Sequence, residues 1–325
     1  ADVTVSFIGL KRGMFTAQAK DVCGEIMFSD LAVPDEAYDQ VETDTRLINN
    51  IDYSLLPERK ASSHKGCFGH VLIVGGNEGM PGAVILAATA ALRTGAGLLT
   101  IVTVEKNLEA ISLAVPEAMI KTCEADSVTE LFTEDFVSSV THVAIGMGLG
   151  QDDWSRVLLK HCVQLNKPML VDADGLNLLA EHDFIINAEL IITPHPGEAA
   201  RLLSQETPLN SADIQQNRFA AVKKLQLLFN DSETCVVVLK GSGSLIFDGQ
   251  TIKICSLGNA AMAAPGMGDV LSGIVIALLA QNIKISDAAV LGVCLHASAA
   301  QFVTQDKTRG LLASDVVKAL SEILQ

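Results

Sequence analysis

A carboxylate set among glycines at the start of an apolar helix is the arrangement with the most chemistry in this chain. Gly258 to Asp269 reads GNAAMAAPGMGD, and the run Val270–Leu279 behind it is helix-like. Amides at a helix N-terminus, with the helix dipole, stabilise phosphate oxygens. Asp269 is then placed to take a proton from an attacking hydroxyl, the alternative being a simple charge at the helix start. Lys240-Gly241-Ser242-Gly243-Ser244 offers a cation, two hydroxyls and glycine amides, which suits a nucleotide phosphate or ribose or, more plainly, a solvated glycine turn. His195 lies between Pro194 and Pro196, which fix its backbone and keep it out of a regular helix. Asp172, Asp174 and Thr193 follow apolar runs, and Asp174 and Thr193 read equally well as helix caps or turn residues. Two glycine loops, Gly75–Gly82 and Gly146–Gly150, are neither a P-loop nor GxGxxG; each reads as a tight turn or as a loop that covers a ligand.

Such groups need strands to bring them together. Val71–Val74, a glycine turn, an Ala-rich helix over Gly82–Thr94 and Leu98–Val104 form a βαβ unit. Val143–Gly146, Met169–Val171, Leu190–Ile192, Val236–Leu239 and Leu245–Phe247 are further short buried-strand patterns, most followed by Gly- or Pro-rich turns. This alternation predicts a mainly parallel sheet with helices on both faces, and ligands beyond the carboxyl ends of its strands. Asp248-Gly249 between extended segments predicts a hairpin, so the sheet is mixed at that edge. Before this region lie two short extended segments, Val3–Ile8 and Gly24–Phe28, too little to bury a core. Ala32–Asn50 is polar and acidic and reads as a linker, with a domain boundary near Asp44.

Composition narrows the function. The 325 residues include 23 Lys plus Arg against 38 Asp plus Glu, a net charge of −15 that argues against a general nucleic-acid binder. With 49% hydrophobic and 19% charged residues the chain can bury a large core, which excludes intrinsic disorder. No uncharged stretch reaches the roughly 20 apolar residues of a spanning helix, so no membrane partner is expected. The opening ADVTVSFIGLKRG has neither a basic leader nor a cleavage site, and the seven cysteines are scattered without a C-x-x-C, which suits reduced thiols in a cytoplasm.

Several segments then carry a resemblance. HKGCFGHVLIVGGNEGMPGAVILAATAALRTGAGLLTIVT, VDADGLNLL, ITPHPGE, VVLKGSGSLIFDG and GMGDVLSG resemble, in order, the ADP/ATP-dependent NAD(P)H-hydrate dehydratases of the ribokinase-like superfamily. ADVTVSFIGLKRGMFTAQAKDVCGEIMF is similar to the tail of the NAD(P)H-hydrate epimerase domain that many bacteria fuse upstream. The resemblance implies a remnant of that domain plus linker over residues 1–44, without epimerase activity, and a ribokinase-like three-layer α/β/α dehydratase domain over 45–325. It implies repair of the S-epimer of hydrated NADH or NADPH: the ring hydroxyl is phosphorylated by ADP, or ATP, with Mg²⁺, and phosphate is then eliminated.

Carried over by residue, Asp269 is the base, and the Gly266, Met267 and Gly268 amides form the anion hole. Lys240, Gly241, Ser242, Gly243, Ser244 and Gly268 hold the adenine nucleotide. Ala83, Gly148 or Gly150, His195 and Asp269 line the hydrate pocket, and Glu198 is assigned to metal or metal-water contact. Lys65, Lys240 and the helix N-termini are the expected donors to the anionic ligands, and a homo-oligomer, commonly a tetramer, is expected. The fused arrangement favours ADP over ATP. One departure is the loop GNAAMAAP, which lacks the family's Pro-Gly pair and hydroxyl. The lost hydroxyl removes a phosphate hydrogen bond worth about 1 kcal/mol, which slows the rate where it is felt in the transition state and predicts an active but slower enzyme. The alternatives are a ribokinase-like kinase of a vitamin-type alcohol and a non-catalytic nucleotide-binding subunit. A nicotinamide oxidoreductase is disfavoured because no strand is followed by GxGxxG.

Overall fold

The β-branched apolar runs become strands because their side chains can be buried on both faces of a sheet. The computed structural model describes residues 1–181, 184–204, 207–305 and 307–324. Gln325, the last residue of the expected dehydratase domain, lies outside the described residues. The strands are β1 (Val3–Phe7), β2 (Glu25–Ser29), β3 (Thr45–Ile48), β4 (His70–Val74), β5 (Leu98–Thr103), β6 (Met119–Thr122), β7 (His142–Ile145), β8 (Met169–Val171), β9 (Leu190–Ile192), β10 (Cys235–Leu239), β11 (Ser244–Phe247) and β12 (Ile252–Cys255). Ten of them form one sheet in the order β3-β12-β11-β10-β9-β8-β7-β4-β5-β6. Within it, β11 runs antiparallel to both neighbours, and every other pairing is parallel.

Alternate side chains of each strand feed two cores. Val71 and Ile73 of β4 face helices Pro81–Thr94, Met267–Ala280, Ile285–Thr304 and Ala313–Ile323. Leu72 and Val74 face helices Asp153–Gln164, Ala173–Glu181, Pro196–Leu203 and Arg218–Leu227. The three layers and the mainly parallel sheet therefore match the expectation. Ile285–Thr304 is long and apolar enough to cross a membrane by length and composition, but 72% of its window is buried inside this fold. The Ala-rich helix spends its small face internally, with Val84, Ala87, Ala88, Ala90 and Ala91 fully buried.

Two edges depart from expectation. The polar stretch 32–50 is not simply a linker: it contains the short helix Asp35–Tyr38 and then β3, which pairs with β12 from Thr45 to Ile48. Strand β6 was not foreseen, because its four residues MIKT alternate between exposed and half-buried and carry no apolar run. The Asp-Gly hairpin is present between β11 and β12, with Asp248 Oδ1 accepting from the amides of Gln250 and Thr251. Strands β1 and β2 pair with each other in a separate parallel sheet. Val3, Val5, Phe7, Met27 and Phe28 there stay about half exposed, as expected of a segment too small for its own core.

Candidate active site

Adjacent parallel strands end at the same edge of a sheet, so the residues just beyond β8, β9 and β10 converge. Asp172 follows β8 and Lys240 follows β10, and Lys240 Nζ lies 2.6 Å from Asp172 Oδ1. Ser272, on the helix Met267–Ala280, donates its hydroxyl to Asp172 Oδ2 at 2.7 Å. Asp172 is 1% exposed. Burial opposes its charge, yet the Lys240 ammonium and hydrogen bonds from Lys240, Ser272 and Thr193 hold its carboxyl below the usual range. Lys240 is in turn kept protonated: burial is outweighed by Asp172 and Glu198.

Asp269 lies in the first turn of the same helix as Ser272. Gly266 caps that helix at φ +82°, and a β-carbon there would come within 2.5 Å of Leu86 Cδ1, so this turn requires glycine. The amides of Met267 and Gly268 follow at the helix start, where they and the dipole favour an anion. A β-carbon on Gly268 would lie 3.3 Å from Lys240 Nζ, which puts the glycine turn against the cation. Burial, and next the negative charge of Asp172, push the Asp269 carboxyl up to about 7, against the pull of Lys240. A carboxylate poised near neutrality suits a general base.

His195 is the N-cap of the helix Pro196–Leu203, a capping role of the kind read for Asp174 and Thr193. Its Nδ1 accepts from the amides of Gly197 and Glu198, at 2.9 and 3.2 Å, so the neutral ring carries its proton on Nε2. Nε2 is 3.2 Å from Glu198 Oε1, and Glu198 Oε2 accepts from the His195 amide at 2.7 Å. Burial, then the nearby Lys240, lower the His195 pKa and keep the ring neutral. Burial pushes Glu198 up to about 6, opposed by Lys240. Among the described residues, no three His, Cys, Asp or Glu side chains gather as a metal cluster. Magnesium needs no such cage, since it keeps several waters and binds substrate phosphates with one or two carboxylates. With both oxygens already engaged, Glu198 fits contact through a metal-bound water better than direct ligation.

Strand order reverses between β4 and β7, so the two glycine loops lie side by side at that switch point. Gly76 N donates to Met147 O at 3.0 Å and Asn77 N to Gly148 O at 2.7 Å. A β-carbon at Gly148 would lie 3.0 Å from the Ala83 β-carbon, so these two predicted pocket residues touch. Gly150 N donates to Asp174 Oδ2 at 2.9 Å, which gives Asp174 a role beyond its own helix start. Asp174 also contributes to raising Asp269, which links this loop to that carboxylate.

Sequence reasoning left Asp172 and Ser272 without roles, because their partners lie 68 and 100 residues away. It also passed over Arg218, 2% exposed, which donates to the carbonyls of Leu239, Lys240 and Gly243 behind the KGSGS loop. His296, 7% exposed on the helix Ile285–Thr304, has an Nε2 without a hydrogen-bond partner among the described residues. Lys65 is corrected outright. Its carbonyl packs on Gly97 ahead of β5, at the amino-terminal edge of the sheet, away from the carboxyl ends where the other residues meet. The motif HKGxFGH is likewise scaffold: His70 Nε2 pairs with Thr100 Oγ1 at 2.8 Å. In the altered loop, Asn259 accepts from Ala261 N and donates to Thr304 Oγ1, so the segment is anchored despite its missing Pro-Gly pair.

A three-layer sandwich with an acidic residue and glycines at a helix N-terminus, beside a buried Lys–Asp pair at the strand ends, is a ribokinase-like α/β fold. The profile of the Carb_kinase family, NAD(P)H-hydrate dehydratase, matches residues 71–322, and the chain belongs to that family. It is 44% identical over 327 residues to the bifunctional NAD(P)H-hydrate repair enzyme Nnr of Vibrio cholerae, covering 100% of this chain and 63% of the relative. The chain thus spans about three-fifths of the length of such bifunctional relatives. The ADP-dependent (S)-NAD(P)H-hydrate dehydratase of Neisseria meningitidis is 37% identical over 273 residues, 80% of this chain and 86% of that protein. The crystal structure of the ADP/ATP-dependent NAD(P)H-hydrate dehydratase from Bacillus subtilis, co-crystallised with ATP/Mg²⁺, superposes with a TM-score of 0.73 at 30% identity, over 83% of this chain and 94% of that one.

Proposed function

We propose that this chain dehydrates the S-epimer of hydrated NADH and NADPH, a metabolite repair, using ADP in preference to ATP as the phosphoryl donor. The observation that carries the reading is Asp269, raised to about 7 at a glycine-capped helix start beside the Lys240–Asp172 pair. Asp269 accepts the proton of the ring hydroxyl as that oxygen bonds to the terminal phosphorus of ADP. The bond from that phosphorus to the bridging oxygen breaks, and AMP leaves. The amides of Gly266, Met267 and Gly268 and the Lys240 ammonium stabilise the charge on the transferring group, so catalysis is positioning and electrostatics. The ring carbon–oxygen bond then breaks with phosphate as leaving group, the neighbouring ring carbon gives up a proton, and the dihydronicotinamide is restored.

Lys240 to Ser244, with Gly268, hold the nucleotide. Ala83, Gly148, Gly150 and neutral His195 shape the hydrate pocket, His195 offering its Nε2 proton to a ligand oxygen in exchange for Glu198. Magnesium, when bound on the nucleotide phosphates, neutralises their charge, and Glu198 would reach it through water. A cytoplasmic homo-oligomer fits the reading, with its contacts elsewhere than the buried face of the Ala-rich helix. The test is recovery of absorbance at the dihydronicotinamide band from hydrated NADH and NADPH, with Mg²⁺ and ADP or ATP in parallel. Recovery that requires nucleotide and metal supports the reading. Absence of recovery in all arms, with phosphate transfer to a vitamin-type alcohol instead, overturns it.

A further inference from the structure

The loop Lys240–Ser244 is held from behind by two elements far apart in sequence. Arg218, at the start of the helix Arg218–Leu227, donates to Leu239 O at 3.0 Å, to Lys240 O at 3.2 Å and to Gly243 O at 3.4 Å. The second element is the N-terminal segment, which meets Arg218 at the same carbonyl, Gly243 O. Thr16 Oγ1 reaches Ser242 O at 3.1 Å and Gly243 O at 2.9 Å, and Ala17 N donates to Ser242 O at 2.9 Å. Ser244 Oγ takes the remaining carbonyl, that of Gly241, at 3.2 Å. Every carbonyl from Leu239 to Gly243 is therefore met by a protein donor, and since the Lys240 amide donates to Pro194 O at 2.9 Å, the amides of Gly241, Ser242 and Gly243 are what the loop has left to offer an anion.

The fit is close. Gly243 is buried at φ +64°, and a β-carbon on it would strike Phe15 O at 1.9 Å. Thr16 is 5% exposed, whereas Ser242 and Gly241 are exposed. The segment is pinned further along by Lys20 Nζ to Ser256 O at 2.7 Å, and before Thr16 by Arg12, which pairs with Asp44 and sits 4.4 Å from the centre of the Phe219 ring.

We infer that residues Phe15–Ala17 of the N-terminal segment are a structural part of the nucleotide site, with Thr16 a positioning residue that orients the Gly241–Gly243 amides toward the phosphates of the nucleoside diphosphate. This rests on the nucleotide reading of that loop. The segment resembling the tail of another domain thus sets how tightly the dehydratase domain holds its phosphoryl donor. Thr16 touches no reacting atom; it acts through the loop.

The test compares Thr16→Val, which keeps shape and removes the donor, with Thr16→Ser, which restores it, and with Lys240→Met. The expected result is a rise of about fivefold in KM for ADP in Thr16→Val, the size of one lost hydrogen bond, with kcat and KM for the hydrate within about twofold, and recovery in Thr16→Ser. If Thr16→Val leaves KM for ADP unchanged while Lys240→Met raises it, the positioning role of Thr16 is overturned and the nucleotide reading stands. If neither variant alters ADP binding, the nucleotide reading of the loop falls and this inference with it. Should Thr16→Val not fold, hydrogen exchange in the unmodified protein decides. ADP should protect the Ala17 amide together with those of Gly241–Gly243, and protection of the loop alone would overturn the inference.

Discussion

Lys240 Nζ lies 2.6 Å from one oxygen of Asp172, while the other oxygen accepts from Ser272 Oγ at 2.7 Å. A buried carboxylate thus joins the end of β10 to the helix that carries Asp269, and one charge sets the state of two functional groups. It keeps Lys240 protonated and, next after burial, raises Asp269.

Asp269→Asn should lower kcat by roughly 10²- to 10⁴-fold, the usual worth of a positioned base, with ADP affinity retained. In the unmodified protein the rate should rise with pH through about 7, because only the ionised carboxylate accepts the proton. A rate flat from pH 5.5 to 8.5, with chemistry limiting, would remove Asp269 from that role.

The same shift predicts a stability effect. Asp269 titrates higher in the folded chain than in the unfolded one, where 3.8 is ordinary, so its contribution is present below about 4 and is lost as pH rises through about 7. Asp269→Asn should therefore melt a few degrees higher than the unmodified protein at pH 8, and the gain should disappear near pH 4. Thermal scans at the two pH values check the sign.

Removing the charge of Asp172 releases Asp269 from its negative neighbour. In Asp172→Asn the acid limb of the rate profile should move to lower pH, and the rate should drop about tenfold or more as Lys240 loses the partner that holds it. A slower enzyme with an unmoved limb would assign Asp172 to packing alone.

Gly148→Ala, the smallest change, adds a β-carbon at φ +58° that meets the Met80 carbonyl at 2.9 Å and the Ala83 β-carbon at 3.0 Å, so it strains this loop as it narrows the contact. KM for the hydrate should rise about tenfold, the size of an overpacked contact, with KM for ADP unchanged. Equal loss for both ligands would place Gly148 outside the hydrate pocket.

Glu198→Gln should raise the Mg²⁺ concentration needed for half-maximal rate several-fold and leave KM for the hydrate within about twofold. Magnesium titrations at fixed ADP read this directly. An unchanged magnesium requirement would leave Glu198 as the capping partner of His195 and nothing more.

The residues of the site were legible in unequal measure. Asp269, Gly266 and Gly268 announce themselves because a glycine turn, a carboxylate and an apolar helix are contiguous, and local backbone physics suffices to place them. Lys240 was legible for the same reason, as the residue where an apolar strand meets glycines. Asp172 was visible only as one acid among several. Its pairing with Lys240 depends on β8 and β10 flanking β9, a neighbour relation across 68 residues that no local period encodes.

By itself the sequence determined the layered parallel sheet, the order of the glycine loops and the helix start that bears Asp269, since each follows from hydrophobic alternation and turn chemistry within a short window. The tertiary structure alone decided three things. It placed Lys65 at the wrong end of the sheet for the ligand, a matter of which strand end a loop occupies. It turned the polar stretch before Asn50 into the edge strand β3, held by its ladder with β12 and by Leu47 and Ile48 packing on the two cores. And it brought Thr16 onto Gly243 across 227 residues, because that contact is made through backbone carbonyls, which every sequence possesses and only a fold can aim.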